Sequence, residues 1–204
     1  MKSFRAVLMV GAALVAWSGF AHAQAAATPP AATPPMYAGV KRCKTCHNVE
    51  KGGGQFAKWT ESKHSKAFAT LASPKALEIA KEKGIADPQK ADECLACHVT
   101  GHGEAADKFK ESFVAADGVG CESCHGAGSN YLKKSVMQGV RDKKMKAEDY
   151  GLMMPTEKTC AKCHNEKGTG GKFVDWKADS TKIDHSIPAG YVRGAEAAAP
   201  PAGE

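Results

Sequence analysis

The pentapeptide Cys-x-x-Cys-His constrains this chain more than any other feature. It runs Cys43-Lys44-Thr45-Cys46-His47, Cys94-Leu95-Ala96-Cys97-His98, Cys121-Glu122-Ser123-Cys124-His125 and Cys160-Ala161-Lys162-Cys163-His164, and so consumes all 8 cysteines. On a helical turn, residues three and four apart share a face, so two cysteines can bond the vinyl groups of a haem while the histidine sits under its iron. The pattern is the attachment signature of c-type haem. Two four-cysteine zinc sites or a disulfide framework are the alternatives, but neither calls for a histidine after every second cysteine. Four such neighbours by chance have a probability on the order of one in a million. The sequence therefore predicts four haem c groups, with Cys43, Cys46, Cys94, Cys97, Cys121, Cys124, Cys160 and Cys163 as covalent anchors and His47, His98, His125 and His164 as proximal iron ligands.

The flanks of this repeat read as non-structural. Residues 1–23 have a basic start at Lys2 and Arg5, an apolar run and a small-x-small end at Ala21-His22-Ala23, as in a cleavable signal peptide. The apolar run is short for a bilayer span and is broken by Gly11, Ser18 and Gly19. No other stretch is long and apolar enough to cross. Residues 24–36 are dominated by Ala, Thr and Pro and read as a disordered leader, with 191–204 as a matching tail. Between them, 37–190 is sized for one domain, yet poor in large apolar side chains. Four haems would supply the missing core.

The expected fold class is mainly α, a small multihaem cytochrome c with short helices and long loops around its cofactors. Ser73, Pro74 and Gly84 predict a helix over Pro74–Lys83, from an N-cap, a first-turn proline and a glycine stop. Asp87 and Pro88 repeat the start signal and predict a helix running into Cys94. Gly52–Gly54 and Gly168–Gly171 are expected turns.

Outside the motifs and the signal peptide, only His64, His102 and His185 are left to bind the other face of four irons. Helical spacing would place His64 on a face with Thr60, Ala67, Phe68 and Leu71, with Trp59 and Phe68 against porphyrin edges. His185 has apolar neighbours in Ile183 and Ile187. His102 follows His98 too closely to reach the opposite face of the same iron easily, and is either a ligand to a neighbouring haem or a loop residue.

The stretch Trp59-x-x-Ser62-x-His64-x-x-Ala67, the Cys94–Gly103 and Gly118–Gly128 segments and the spacing of the fourth motif closely resemble the cytochrome c-554 family, over roughly Tyr37 to Pro188. The resemblance implies an α-helical fold with haems packed in close pairs. It also implies an electron carrier, which in nitrification accepts electrons from hydroxylamine oxidoreductase. Three haems in that family member have two histidine ligands, and the haem of the second motif lacks a sixth protein ligand. By that resemblance His64 is a distal ligand and the haem on His98 is the open one. The chain departs from the family pattern where Tyr131–Met137 lacks a ligand histidine and where His102 replaces an aromatic. His102 or Met137 would then take over the missing role, with Met145, Met153 and Met154 as further sulfur donors. The C-terminal part is also much shorter here.

Charge bears on partners. The chain carries 28 basic and 22 acidic residues, a net of +6, and loss of Lys2 and Arg5 with the signal peptide leaves +4. Haem propionates bring the oxidised protein near neutrality, and nucleic-acid binding does not fit an exported haem protein. Lys133, Lys134 and Arg141–Lys146 form either a solvated face or a docking patch for an acidic redox partner. The functional expectation is a periplasmic, non-enzymatic electron carrier between redox partner proteins, one of them potentially membrane-associated and quinol-linked. The alternatives are reduction of a small molecule such as nitric oxide at a five-coordinate haem, and an extracellular conductive filament.

Overall fold

The computed structural model describes residues 33–167 and 175–191. The expected signal peptide, the Gly168–Gly171 turn and all but the first residue of the tail lie outside them. Among the described residues nine short helices are joined by 3-10 turns and loops: α1 (Val40–His47), α2 (Gln55–Glu61), α3 (Ala67–Thr70), α4 (Pro74–Glu82), α5 (Asp92–His98), α6 (Cys121–His125), α7 (Lys134–Arg141), α8 (Glu157–Ala161) and α9 (Trp176–Asp179). No strand forms among them, only an isolated bridge between Tyr37 and Phe109. The mainly α expectation holds.

Local signals explain α4. Ser73 Oγ accepts the Ala76 N–H at 3.2 Å and Pro74 occupies the first turn. Lys83 closes the helix and the chain leaves through Gly84. The second start signal works differently. Asp87 Oδ1 accepts the Gln89 N–H at 2.9 Å, and the Asp87 carbonyl takes the Lys90 and Ala91 N–H groups, each at 3.1 Å. These bonds close a turn, so the helix reaching Cys94 begins only at Asp92, where Asp92 and Glu93 favour its positive N-terminus.

The face expected for His64 is also corrected. Ser62 is extended and ends α2, with its hydroxyl donating to Trp59 O at 2.7 Å. His64 then opens a 3-10 turn, His64–Lys66, ahead of α3. A side chain competing for the backbone broke the period.

Apolar burial is sparse. Among the described residues the buried hydrophobics are Ala38, Val40, Leu71, Ala80, Val99, Tyr131, Val136 and Leu152, and no large side chain is fully enclosed. Tyr131, Val136 and Leu152 form one cluster, with Met137, Val140 and Tyr150 against it. A second knot joins Tyr37, Phe109 and Phe113, with ring centroids 4.6 to 6.3 Å apart. Such small clusters cannot alone offset the chain entropy of a domain this long, which leaves the bulk of the core to a bound group.

The ends of the domain are tied down. Thr33 O accepts from Asn130 Nδ2 at 2.7 Å, and Met36 N–H donates to Ser129 Oγ at 2.8 Å. Residues 33–36, within the stretch read as leader, thus join the third-motif region. At the other end the Tyr191 ring lies against Gly52.

Candidate haem-binding site

Each attachment motif is made by a helical turn, so the geometry that thioether attachment needs is local. In α1, α5 and α6 the histidine is the last helical residue. In the fourth copy the His164 N–H donates to Cys160 O at 2.9 Å, preserving the same spacing just past the end of α8. The third copy is the most embedded. Gly118 has a φ of +74°, and a Cβ there would stand 2.9 Å from His64 O. Thr100, itself buried, donates to Gly118 O at 2.9 Å and accepts the Gly120 N–H at 2.7 Å.

Long-range folding brings histidines together in two pairs. The His64 and His164 rings are 6.1 Å apart between centroids, and those of His125 and His185 are 5.9 Å apart, both at 78°. An iron held by two imidazoles at metal–nitrogen distances of about 2 Å sets the ring centres about 6 Å apart. Both pairs therefore match the span of one shared iron.

Hydrogen bonds select the tautomer. His125 Nδ1 faces Met153 O at 2.9 Å and His185 Nδ1 faces Ile183 O at 2.7 Å. A carbonyl only accepts, so each Nδ1 carries the proton and each Nε2 lone pair is left for a metal. His98 Nδ1 is turned to Ala67 O at 2.7 Å in the same way. Burial lowers the pKa of His64, with the neighbouring His164 adding to the effect. Burial also lowers that of His125, against the Met153 bond and with help from His185. Both are thereby held in the neutral form that binds metal.

His185 comes from far along the chain and is placed by α2. Gln55 Nε2 donates to His185 O at 3.1 Å and to Gly52 O at 2.6 Å, and Lys58 Nζ donates to Asp184 O at 2.9 Å. Trp59 donates its indole N–H to Val119 O at 2.9 Å and lines one cavity with His64, Cys124 and His185. His102 is turned elsewhere. Its Nε2 lies 3.0 Å from Asp92 Oδ1, so only Nδ1 is left for a metal. Met137 packs in the Tyr131 cluster, Met145 lies over Gly139, and Met153 and Met154 are exposed.

Sulfur contacts relate the motifs to each other. The Cys43 and Cys121 thiols lie close enough to act on each other, as do those of Cys97 and Cys163. The first motif thus adjoins the third, with α1 against α6, and the second adjoins the fourth. Cys160 also acts electrostatically on Cys124, relating third to fourth. All eight cysteines are free of disulfides, and among the described residues no three or more Cys, His, Asp or Glu side chains gather as a metal cluster. The four-cysteine zinc arrangement is not what this fold builds.

The family model for cytochrome c554 and c-prime matches residues 42–126. Cytochrome c-554 of Nitrosomonas europaea is 32% identical over 172 residues, spanning 76% of this chain and 68% of that protein. The chain belongs to the cytochrome c-554 family. No solved structure matches it. As a cytochrome c-554 family member it is a c-type cytochrome that binds haem c covalently and transfers electrons with redox partner proteins. The residues fit that cofactor: cysteine pairs one turn apart, a histidine after each, and two pairs of imidazoles at iron-spanning distance. Among the described residues no helix is long and apolar enough to cross a membrane.

Two parts of this site have no signature in the sequence. Gln55 positions His185 across 130 residues of chain, and Glu122, inside the third motif, is buried. Both depend on backbone groups that come close only in the folded chain.

Proposed function

We propose that the chain is a tetrahaem electron carrier, with residues 37–190 as the haem domain, exported by a cleavable signal peptide and working in the periplasm. The two imidazole pairs at 6.1 and 5.9 Å carry this reading. Cys43, Cys46, Cys94, Cys97, Cys121, Cys124, Cys160 and Cys163 form thioethers, and His47, His98, His125 and His164 are the proximal ligands. His64 and His164 would together hold the iron of the fourth motif, and His185 and His125 that of the third. That leaves the irons of the first and second motifs without a paired histidine; His102, through Nδ1, or Met137 would serve the one over His47, and the iron over His98 would stay open.

Haem c supplies a one-electron iron couple when bound. The protein's part is to hold the His98, His125 and His185 rings by their Nδ1 bonds, to keep His64 and His125 neutral, and to order the motifs. Contacts between motifs run first to third, third to fourth and fourth to second, which supports a continuous file of cofactors. The lysines at 133, 134, 143, 144 and 146 are exposed and suit an acidic redox partner.

Mass spectrometry and ferric electron spin resonance of the purified protein test this. The expected result is four covalent haems, low-spin signals from the two paired-histidine sites, and one haem that binds nitric oxide or cyanide. Haem extracted by acid-acetone would overturn the attachment. Four low-spin haems that ignore both added ligands would overturn the open site at His98.

A further inference from the structure

Glu122 is the second residue of the third attachment motif, a position where a charged side chain would ordinarily face water. Instead it is 4% exposed. Its Oε1 accepts N–H groups from Ala38 at 2.7 Å and Gly128 at 2.7 Å, and its Oε2 accepts that of Gly39 at 2.8 Å. All three partners are donors, so the contacts suit a carboxylate and give a carboxyl proton nothing to bond. The chain is shaped to hold it: a Cβ on Gly128 would lie 2.9 Å from Oε1, so only glycine lets this N–H approach so closely. A buried charge stabilised only by amide dipoles is a costly arrangement, and its field is little screened.

The place of this charge is specific. Glu122 follows Cys121 directly, and Gly39 is the residue from which α1 starts toward Cys43, whose sulfur lies 4.0 Å from Gly39 O. It therefore sits where the first and third motifs meet, and its charge is felt on both sides. Burial first, and the Glu122 charge second, push the Tyr131 hydroxyl upward. The Cys43 thiol is pushed upward by the Cys121 sulfur beside it, by burial, and by the Glu122 charge. In the loaded protein these sulfurs are thioethers and do not titrate, so the shifts serve only to gauge how far the field reaches.

We propose that Glu122 is a fixed negative charge shared by the haem sites of the first and third motifs, holding both at lower reduction potentials than an uncharged side chain would. A negative charge in a poorly screened interior favours the ferric iron, which carries one positive charge more than the ferrous. The second and fourth motifs adjoin each other elsewhere and do not share it. Glu122 thus splits the cofactors into a low-potential pair and a higher-potential pair, and gives electron flow a direction across the file. This rests on the tetrahaem reading above.

The test is a spectroelectrochemical titration of Glu122→Gln. The expected result is that two of the four haems become easier to reduce by roughly tenfold in equilibrium constant, about 59 mV for one electron. Glu122→Asp, which keeps the charge, should retain the low potentials. The haem count per chain reads attachment separately: four haems with unmoved potentials overturn the role of Glu122 and leave the proposed function standing. A uniform shift of all four haems also overturns it, since that reports a general change of fold. Should the Gln variant fail to load, the wild-type protein labelled with 13C-glutamate carries the test. A glutamate carboxylate band displaced on reduction supports the proposal, and a reduced-minus-oxidised infrared spectrum without one overturns it.

Discussion

The third and fourth attachment motifs have the same chemistry and opposite surroundings. Around Cys121–His125 the polypeptide closes on itself: Glu122 and Gly128 are buried, Thr100 braces the approach, and Met153 N–H donates to His125 O at 3.0 Å. Around Cys160–His164 the chain is mostly exposed, and local bonds do the holding, chiefly a capping box in which Thr156 and Thr159 satisfy each other's N–H groups. The contrast shows that one pentapeptide can be packed mainly by protein or mainly by the cofactor it carries. Where protein does the packing, the surrounding residues can set the electrostatics; where it does not, the distal ligand and the haem must order the chain.

Attachment should separate the two most strongly. Cys163→Ala, which loosens the cofactor that orders the exposed motif, is expected to unfold the chain around it, whereas Cys124→Ala should leave the protein-packed third motif folded. Haem-to-protein ratio together with circular dichroism measures this, and equal damage from both would erase the contrast. Distal ligands come next. His185→Ala should turn the third-motif haem from low to high spin and raise its potential, and His64→Ala should do so at the fourth motif. An unchanged electron spin resonance spectrum in either variant breaks the pairing.

Backbone and capping changes should be smaller. Gly118→Ala forces a side chain into a left-handed conformation 2.9 Å from His64 O, at a cost of about 1–3 kcal/mol. Thr156→Ala removes the cap of the exposed motif for about 1 kcal/mol. Denaturant titration should rank them in that order. The smallest effect is with pH. Burial lowers the His64 and His125 pKa values in the folded state, so the unfolded chain takes up the proton first, and stability should fall as pH drops below about 6.5. Since iron binding also needs the neutral ring, a stability flat from pH 7 to 5 in the wild type would contradict the neutral form of these histidines.

What the sequence revealed and concealed follows the distance over which each feature is encoded. The motifs and the Ser73–Gly84 helix are written within a turn or two, and both formed as their spacing demands. Asp87 misled because the same side chain that caps a helix also closes a tight turn. His64 and His185 could be singled out by type and neighbours, but not matched to partners, since His164 and His125 lie 100 and 60 residues away from them in the chain. Glu122 was hidden altogether, because a charged residue between two attachment cysteines gives no sign that N–H groups from residues 38, 39 and 128 will converge on it.

The contacts of Cys43 with Cys121 and of Cys97 with Cys163 interleave along the chain rather than nest. A cut anywhere between the second and third motifs divides both couples at once, so neither half of the polypeptide is a working unit. During synthesis the first two motifs must wait, each without its neighbour, until the second half of the chain has emerged. Completing either couple therefore needs residues from both halves of the chain.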